Sequence, residues 1–591
     1  MCRSRATVLA VMLGVGAAAC SDGPLRVETV DLIADRSLVA DGKRLVVRES
    51  FAADETWTAA IMQPGDRAAS EVDLDRTPTL DLAGAALCSD RGADDQMGEL
   101  IVEVSRDVVP KITSTVEFST TSGWWRHQLD LKDFEGDRVT ITLDVDLPGG
   151  CTLFLRDATV RQKVRLQETS ADRPIQILMI SVDTLRLDAI GAFGGEVPTP
   201  HLDQFASEAE IFTRHYAAAN WTKPSHASML TGYHPQTHRA QLRSQAMDPE
   251  IPTLAGRFSD AGFATGGLVF DCTWLSPRWG FNKGFDSYRV TRWRAGRQAR
   301  LGAEWVFSHH QEPFFFFLHT FEPHSDFKVL PYEAPGLNRT VLADRFGVQG
   351  FGCREGLCSS KFLNGLNRGE FAVEPRDAEI LRSTYDAGVE YIDGALGEFF
   401  ENLRASGLWD GLLVIVTADH GEEFGEHGGF SHDSLYDEVL RVPLLVKWPG
   451  GDRGGSVNEA LTSSVDLAPT LLSDAGLSVD GLPGTHLHRR RGDEPVYSGT
   501  LSRVVVDGRF KGIFGDEFDL RALYDLAADP EESVNLAGLD PDRDLRLERL
   551  LRDQKRQALA LYRLIGSKEM TGEVELSRRE RERLRAFGYL E

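Results

Sequence analysis

Positive charge is what this chain has least of. Its 591 residues carry 65 lysines and arginines against 90 aspartates and glutamates, a formal net charge of −25. A general nucleic-acid binder needs a basic face, so that class is excluded. Anionic substrates are not, because a metal ion or a local basic cluster can reverse the sign at one site. There is no long biased tract and no internal repeat, so neither a disordered chain nor a repeat array is expected. Past the first twenty residues no apolar stretch reaches membrane-spanning length, and no transmembrane helix is expected there. What remains is an ordinary globular composition, long enough for several domains.

Cysteine is sparse, with seven in the chain. Residues 1–20, "MCRSRATVLAVMLGVGAAAC", place two arginines before a short apolar run and then small residues. That is the pattern of a secretory signal peptide. Ending "AAAC", it looks like a bacterial lipoprotein signal with Cys20 as the lipid-bearing residue, although Ala17 stands where a leucine is usual. The expectation is an exported protein tied to the cell envelope, periplasmic or outward-facing, by its lipid. An exported chain is free to form disulfides. Spacing suggests Cys88–Cys151 and a small Cys353–Cys358 loop, leaving Cys272 over, although sequence does not determine connectivity.

From residue 21 to about 170, short alternating runs such as "GELIVEVS" and "RVTITLDVDL" are separated by Gly, Pro and Asp. Period-two alternation predicts an antiparallel β domain. The texture of "WWRHQLDLKDFEGDRVTITLDV" resembles carbohydrate-binding jelly rolls, with Trp124 and Trp125 placed either to pack or to stack on sugars. From 171 to 500 the character changes. "IQILMISVD" is a continuous apolar run suited to a strand buried on both faces. "TPHLDQFASEAEIF" has Leu202, Phe205, Ala206, Ala209 and Phe212 at helical spacing. With "PFFFFLHTF", a helix over 378–405, "LLVIVTADHG" and "RVPLLVKWPG", the alternation predicts an α/β sandwich. Residues 501–591 read as a small α+β subdomain ending in a charged helix.

Three predicted strands end in polar residues, where open α/β sheets build their sites. Asp183 follows the first, Asp419 and His420 follow another, and His432 lies twelve residues further on. Between them stands "NWTKPSHASMLTG". Here Thr222 is expected to cap a helix with Pro224 in its first turn. Such a helix end favours a tetrahedral anion through its free N–H groups and dipole. Lys223 and His226 flank the hydroxyl and are candidates to neutralise substrate oxygens.

Together, "ISVDTLRLDAIGAFGG", "TPHLDQFASEAEIF", "TKPSHASMLTGYHPQTH", "HTFEPHSDF", "TADHGEEFGEHG", "RVPLLVKWPG" and "LYDLAADPEESVNL" resemble the sulfatase family of the alkaline-phosphatase superfamily, from about residue 175 to 536. The resemblance implies one divalent cation held by Asp183, Thr222, Asp419 and His420. Oxygen ligands with one imidazole suit Ca²⁺, Mg²⁺ or Mn²⁺. A second carboxylate often follows the first in the family, and Thr184 stands in its place here. The resemblance also puts His324 and His432 where family members hold a leaving-group proton donor and a cationic group. The rival arrangement makes His324 and His432, with Glu322, ligands of a second metal. His319 and His238 are open between structural and functional roles, and Arg186 with Asp188 reads as a local pair.

The family matures a Cys or Ser, within Cys/Ser-x-Pro-x-Arg, to formylglycine. Here that stretch is Thr222, Lys223, Pro224, Ser225, His226. Oxidising a threonine at its hydroxyl carbon gives a ketone, not an aldehyde. The sulfate-gripping Lys-Trp-His segment has no counterpart either, where this chain reads "LVFDCTWLSP". The expectation is therefore a metal-dependent hydrolase of phosphate or sulfate esters, with phosphoesters favoured and Thr222 as nucleophile. The alternatives are a phosphotransferase acting on an envelope glycan or lipid, and a non-catalytic glycan-binding surface lipoprotein.

Overall fold

A computed structural model of the chain describes residues 25–566. Excepted are 32–38, 41–42, 45–46, 53–54, 75, 89–96, 107–108, 120–124, 149–150, 166–174, 326–331, 333, 335–359, 371–374 and 493. The signal, Cys20, Trp124 and the Cys353–Cys358 loop lie outside the described residues. Among those described, no helix is long and apolar enough to cross a membrane.

The alternating N-terminal runs form two antiparallel sheets packed face to face. One runs in the order Trp125–Asp130, Arg76–Cys88, Cys151–Arg165, Glu55–Met62, and the other Arg67–Asp73, Arg138–Asp146, Met97–Arg106, Val109–Ser119. Alternation decides which residues fill the space between them. Along Met97–Arg106, Leu100, Val102 and Val104 are buried and meet Ile141, Leu143, Leu153 and Leu155 in one cluster. Cys151 is disulfide-bonded, and the residue opposite it in the ladder is Cys88. Cys272 is free and buried. Trp125 stacks on Phe118 with ring centroids 5.2 Å apart, so it packs one sheet onto the other.

The larger unit is a mixed sheet covered on both faces. In chain order its elements are β1 (Gln176–Val182), α1 (Pro200–Glu208), β2 (Glu210–Phe212), α2 (Thr222–Thr231), β3 (Ala264–Phe270), β4 (Ser287–Thr291), α3 (Ala295–Ser308), β5 (Phe314–Thr320), α4 (Pro375–Ala405), β6 (Leu412–Ala418) and β7 (Leu444–Lys447). The strand order is β4-β3-β5-β1-β6-β7-β2. The first five are parallel, while β7 runs against β6 and β2 runs against β7. Alternate residues of β1 go to opposite cores. Leu178, Ile180 and Val182 face the core of α1, α3 and α4, and Ile177 and Met179 face that of α2. Burial on both faces is why these strands read as unbroken apolar runs. At the far edge, Thr291 of β4 pairs with Glu55, joining the N-terminal sheet to the central one.

Two boundaries differ from the sequence reading. The helix expected through Phe212 stops at Glu208, and the next residues become strand β2. Backbone pairing with β7 outweighs helical spacing here. Glu210 adds side-chain bonds, accepting from Trp448 Nε1 at 2.8 Å and Asn458 Nδ2 at 2.9 Å. The C-terminal sheet begins at Val496, before residue 501, with strands Val496–Gly499, Arg503–Asp507, Phe510–Phe514 and Leu520–Asp525. Helix Pro541–Ile565 covers it through Leu547 and Leu551, packed with Val505, Phe514 and Leu523.

Lys511 pins this subdomain to the larger one. Its buried ammonium lies 2.7 Å from Asp437 Oδ1 and 2.9 Å from Glu532 Oε1. Burial raises the Glu532 carboxyl to about 7, against the pull of Lys511. Lys511→Met leaves the buried Glu532 and the partly buried Asp437 without their cation and should destabilise the protein by about 3–5 kcal/mol in denaturant titrations. A carboxyl with a raised folded pKa contributes most stability below its unfolded value and loses it as pH rises through the folded one. That loss is common to both proteins up to about pH 7, where the wild-type carboxyl ionises beside Lys511, so the deficit should grow above about pH 7. A deficit independent of pH would show that Glu532 is not the stranded group.

Candidate active site

Parallel pairing brings the polar strand ends together. Val182 of β1 lies opposite Thr320 of β5 on one side and Ala418 of β6 on the other. One residue further along β1 and β6, Asp183 and Asp419 leave adjacent strands at the same edge of the sheet. Thr184 turns the chain away at φ 55°. Its N–H reaches Asp419 Oδ1 at 3.3 Å, and its carbonyl accepts from Tyr385 of α4 at 2.9 Å. Arg186 and Asp188 form the expected pair at 2.7 Å, and Arg186 also bonds Glu426 at 2.6 Å, fixing the loop that follows.

Asp183, Asp419 and His420 are completely buried, and one ligand atom from each lies within 4.8 Å of the others. His420 donates from Nδ1 to the Gly421 carbonyl at 2.9 Å, so Nε2 carries the lone pair. That nitrogen stands 3.7 Å from Asp183 Oδ1 and 3.3 Å from Asp419 Oδ2. Burial, then the neighbouring His432 ring, holds its pKa well below the usual histidine value, so the imidazole is neutral. Asp419 Oδ2 is buried with no hydrogen-bond partner among the described residues, and so is Thr184 Oγ1. A buried carboxylate oxygen without a donor is costly unless a cation takes its place. Two carboxylates, a neutral imidazole with its lone pair turned inward and nearby hydroxyls thus fit a hard divalent cation.

Thr222 is brought to this group by α2. The expected capping arrangement is displaced by one residue. Trp221, extended at φ −154°, is the N-cap, and Thr222 is the first residue of the helix. Its hydroxyl is therefore not used to cap its own helix. Thr222 Oγ1 lies instead 3.4 Å from His420 Nε2. Ser225, one turn on, donates to the Asp419 carbonyl at 2.6 Å and locks helix to strand.

His226 lies beneath the site. Its Nδ1 donates to the Thr222 carbonyl at 2.9 Å, and its Nε2 accepts from Ser181 at 3.0 Å. Nδ1 is also 3.3 Å from Asp419 Oδ2. Burial lowers its pKa, so it acts as a neutral brace. The Lys223 ammonium is placed elsewhere too. All three of its protons go to main-chain carbonyls of Leu242, Arg243 and Gln245, at 2.8, 3.0 and 2.8 Å. Neither group is turned to substrate oxygens as their neighbourhood in sequence suggests.

His324 and His432 do converge on the group. His324 Nε2 is 3.9 Å from Asp183 Oδ1, and its ring stacks on Phe321. The His432 ring centroid is 4.4 Å from that of His420 and 5.2 Å from that of His324. Glu322 is occupied, accepting from the Ala295 N–H that opens α3 at 2.6 Å and from Phe321 N–H at 3.3 Å. A second-metal set that includes Glu322 is not assembled. His319 donates from Nε2 to Asp183 Oδ2 at 3.1 Å and so orients that carboxylate. His238 is buried against Ser228 at 3.0 Å, within the core below α2. Two supporting groups were not singled out from the sequence. Ser181 is the last polar residue of an apolar strand, and Glu422 lies in the charged run just after His420. Glu422 is fully buried, its Oε2 3.2 Å from His432 Nδ1.

Comparison with known proteins bears on this arrangement. The Sulfatase family model matches residues 176–477, just over half of the chain. The multifunctional alkaline phosphatase superfamily protein PehA of Trinickia caryophylli is 24% identical over 493 residues, covering 65% of this chain and 94% of that protein. An N-acetylglucosamine-6-O-sulfatase of Bacteroides thetaiotaomicron is 22% identical over 470 residues, covering 63% and 84%. Among solved structures, the phosphonate monoester hydrolase of Agrobacterium radiobacter superposes with a TM-score of 0.52 at 23% identity, covering 66% of this chain and 96% of that one. The chain belongs to the sulfatase family of the alkaline-phosphatase superfamily and is an ester hydrolase.

Proposed function

We propose that this chain hydrolyses phosphorus esters through Thr222, with one divalent cation held by Asp183, Thr222, Asp419 and His420. The observation that carries this reading is the Thr222 hydroxyl, free of any capping duty and 3.4 Å from His420 Nε2 at the end of α2. A hard cation bound there would neutralise the buried carboxylates and lower the pKa of a neighbouring hydroxyl. Thr222 Oγ, its proton released to solvent, attacks phosphorus, the P–O bond to the leaving alcohol breaks as that oxygen takes up a proton, and a phosphothreonine forms. Water then cleaves that ester and restores the hydroxyl. The helix N-terminus faces the charge on the phosphoryl oxygens. His432, oriented by Glu422 through Nδ1, is the group suited to protonate the leaving oxygen. His324 flanks the same space.

The likeness to PehA and to the phosphonate monoester hydrolase supports a phosphorus centre, while the glucosamine sulfatase keeps sulfate in play. A screen of aryl phosphate monoesters, phosphonate monoesters, phosphodiesters and sulfates with Ca²⁺, Mg²⁺ and Mn²⁺ tests the choice. Phosphorus esters should turn over fastest. Preferred sulfate turnover would overturn the assignment, and an inert protein that binds no metal would favour a glycan binder. Product analysis with an added alcohol separates hydrolysis from transfer.

The N-terminal sandwich has the strand order of a jelly roll. It is proposed to hold the enzyme on a glycan or envelope substrate, on an exported lipoprotein anchored at Cys20. A soluble chain lacking residues 25–166 that is inert on small aryl esters would count against that division.

A further inference from the structure

Lys223 is the second residue of α2, directly after Thr222, and is completely buried. Everything about that position opposes a cation. Burial strips its hydration, and a helix N-terminus repels positive charge. Arg278 and Arg243 are the charged groups acting on it, and both disfavour its charged form. Among the described residues no carboxylate pairs with it.

What holds the ammonium is a cage. Three converging carbonyls at 2.8–3.0 Å take its three protons, an arrangement only the charged form satisfies. The nitrogen also lies over the rings of Trp279, Trp274 and Trp221, at 3.8, 5.1 and 5.4 Å from their centroids. Such faces attract a desolvated cation. Trp221 immediately precedes Thr222 and meets Trp274 edge-on at 5.4 Å. Thr222 is thus clamped from both sides, by the ring before it and the side chain after it. The Met247 N–H adds a bond to the Trp279 carbonyl at 3.1 Å, joining the 242–247 segment to the same cage.

We propose that Lys223 is a positioning residue for Thr222. Its caged ammonium ties the first turn of α2 to the 242–245 segment and the tryptophans, and its buried charge strengthens that helix end's hold on an anionic group. A methionine would fill the same space without opposing burial or dipole, so what the lysine adds is its charge and its three-point geometry. This rests on the reading of Thr222 as nucleophile.

The test compares Lys223→Met and Lys223→Arg with the full-length protein in aryl phosphate turnover, inhibition by inorganic phosphate and melting temperature. Lys223→Met should lower kcat by about 10- to 100-fold and weaken phosphate inhibition by about tenfold. Lys223→Arg keeps the charge but offers a flat fork to three converging carbonyls. It should therefore largely restore phosphate inhibition while leaving kcat depressed. A merely structural lysine would change the melting temperature alone, so wild-type kcat and phosphate inhibition in the methionine variant overturn the proposal. If that variant does not fold, wild-type kcat in the arginine variant does the same. Thr222→Ala keeps the two readings apart. If it turns over like wild type, the nucleophile assignment fails; if it is inactive while Lys223→Met is not impaired, only the positioning role fails.

Discussion

Thr222→Ala should lower turnover on the preferred ester by roughly 10³- to 10⁶-fold, because the proposed nucleophile and a proposed ligand of the cation vanish together. The alanine keeps helix α2 intact, since Trp221 is its N-cap and the Thr222 hydroxyl does not cap it. Stability should therefore change little, which separates a catalytic loss from unfolding. Thr222→Ser keeps measurable activity, as only the restraint of the β-branched methyl is lost. Thr222→Cys should not create a sulfatase even beside the maturation enzyme, because His226 occupies the arginine position of its recognition motif. Brief reaction with substrate should add a phosphate-sized mass to the peptide bearing Thr222. An alanine variant as active as wild type, or a trapped group on another residue, would end this mechanism.

Asp419→Asn should cost at least about a hundredfold in divalent-metal affinity, because the inward-facing oxygen of the group is replaced by an amide. The stability change should be opposite in sign to the usual effect of mutating a buried polar residue. Without metal, Asp419 is a carboxylate whose Oδ2 has no donor, and burial raises its pKa despite the neighbouring His226 ring. Neutralising it should leave the metal-free protein as stable as wild type, or more so. The wild type should gain about 2.7 kcal/mol when metal is at a hundred times its Kd, and the variant at most about 0.4 kcal/mol at that concentration. Calorimetric melts with and without Ca²⁺, Mg²⁺ or Mn²⁺ read both effects. Equal metal-induced shifts in the two proteins would place the cation elsewhere.

The group that prepares Thr222 extends well beyond its neighbours in sequence. Ser181 of β1 holds His226, which holds the Thr222 carbonyl. His319 on β5 holds Asp183. Each of these imidazoles is buried, and burial is the largest influence lowering its pKa. They serve as neutral hydrogen-bonding groups around the two buried carboxylates. In such surroundings a cation and an oriented helix end act on an anionic substrate with little screening.

Several features of this protein were determined by the sequence alone. The unbroken apolar runs at 176–182 and 412–418 require burial on both faces, which commits the chain to a covered parallel sheet, and polar residues just past those runs must gather at one edge. The gathering of Asp183, Asp419 and His420 was legible for that reason, and the helix start near Thr222 from Pro224 two residues on. Threonine itself excludes the aldehyde, whatever the fold. Tertiary structure alone decided which nearby polar groups turn inward. Lys223 and His226 lie close to Thr222 in sequence, yet the 242–245 carbonyls take the lysine's protons, and the Thr222 carbonyl and Ser181 engage the imidazole. Glu322 reads as a ligand, but the opening N–H of α3 satisfies it first, while Glu422 in a charged run is buried against His432. The helix expected through Phe212 gave way at Glu208 because β7 offered a pairing edge. Local pattern specifies which face a residue occupies; a buried polar atom's partner depends on what the rest of the chain brings within about 3 Å of it.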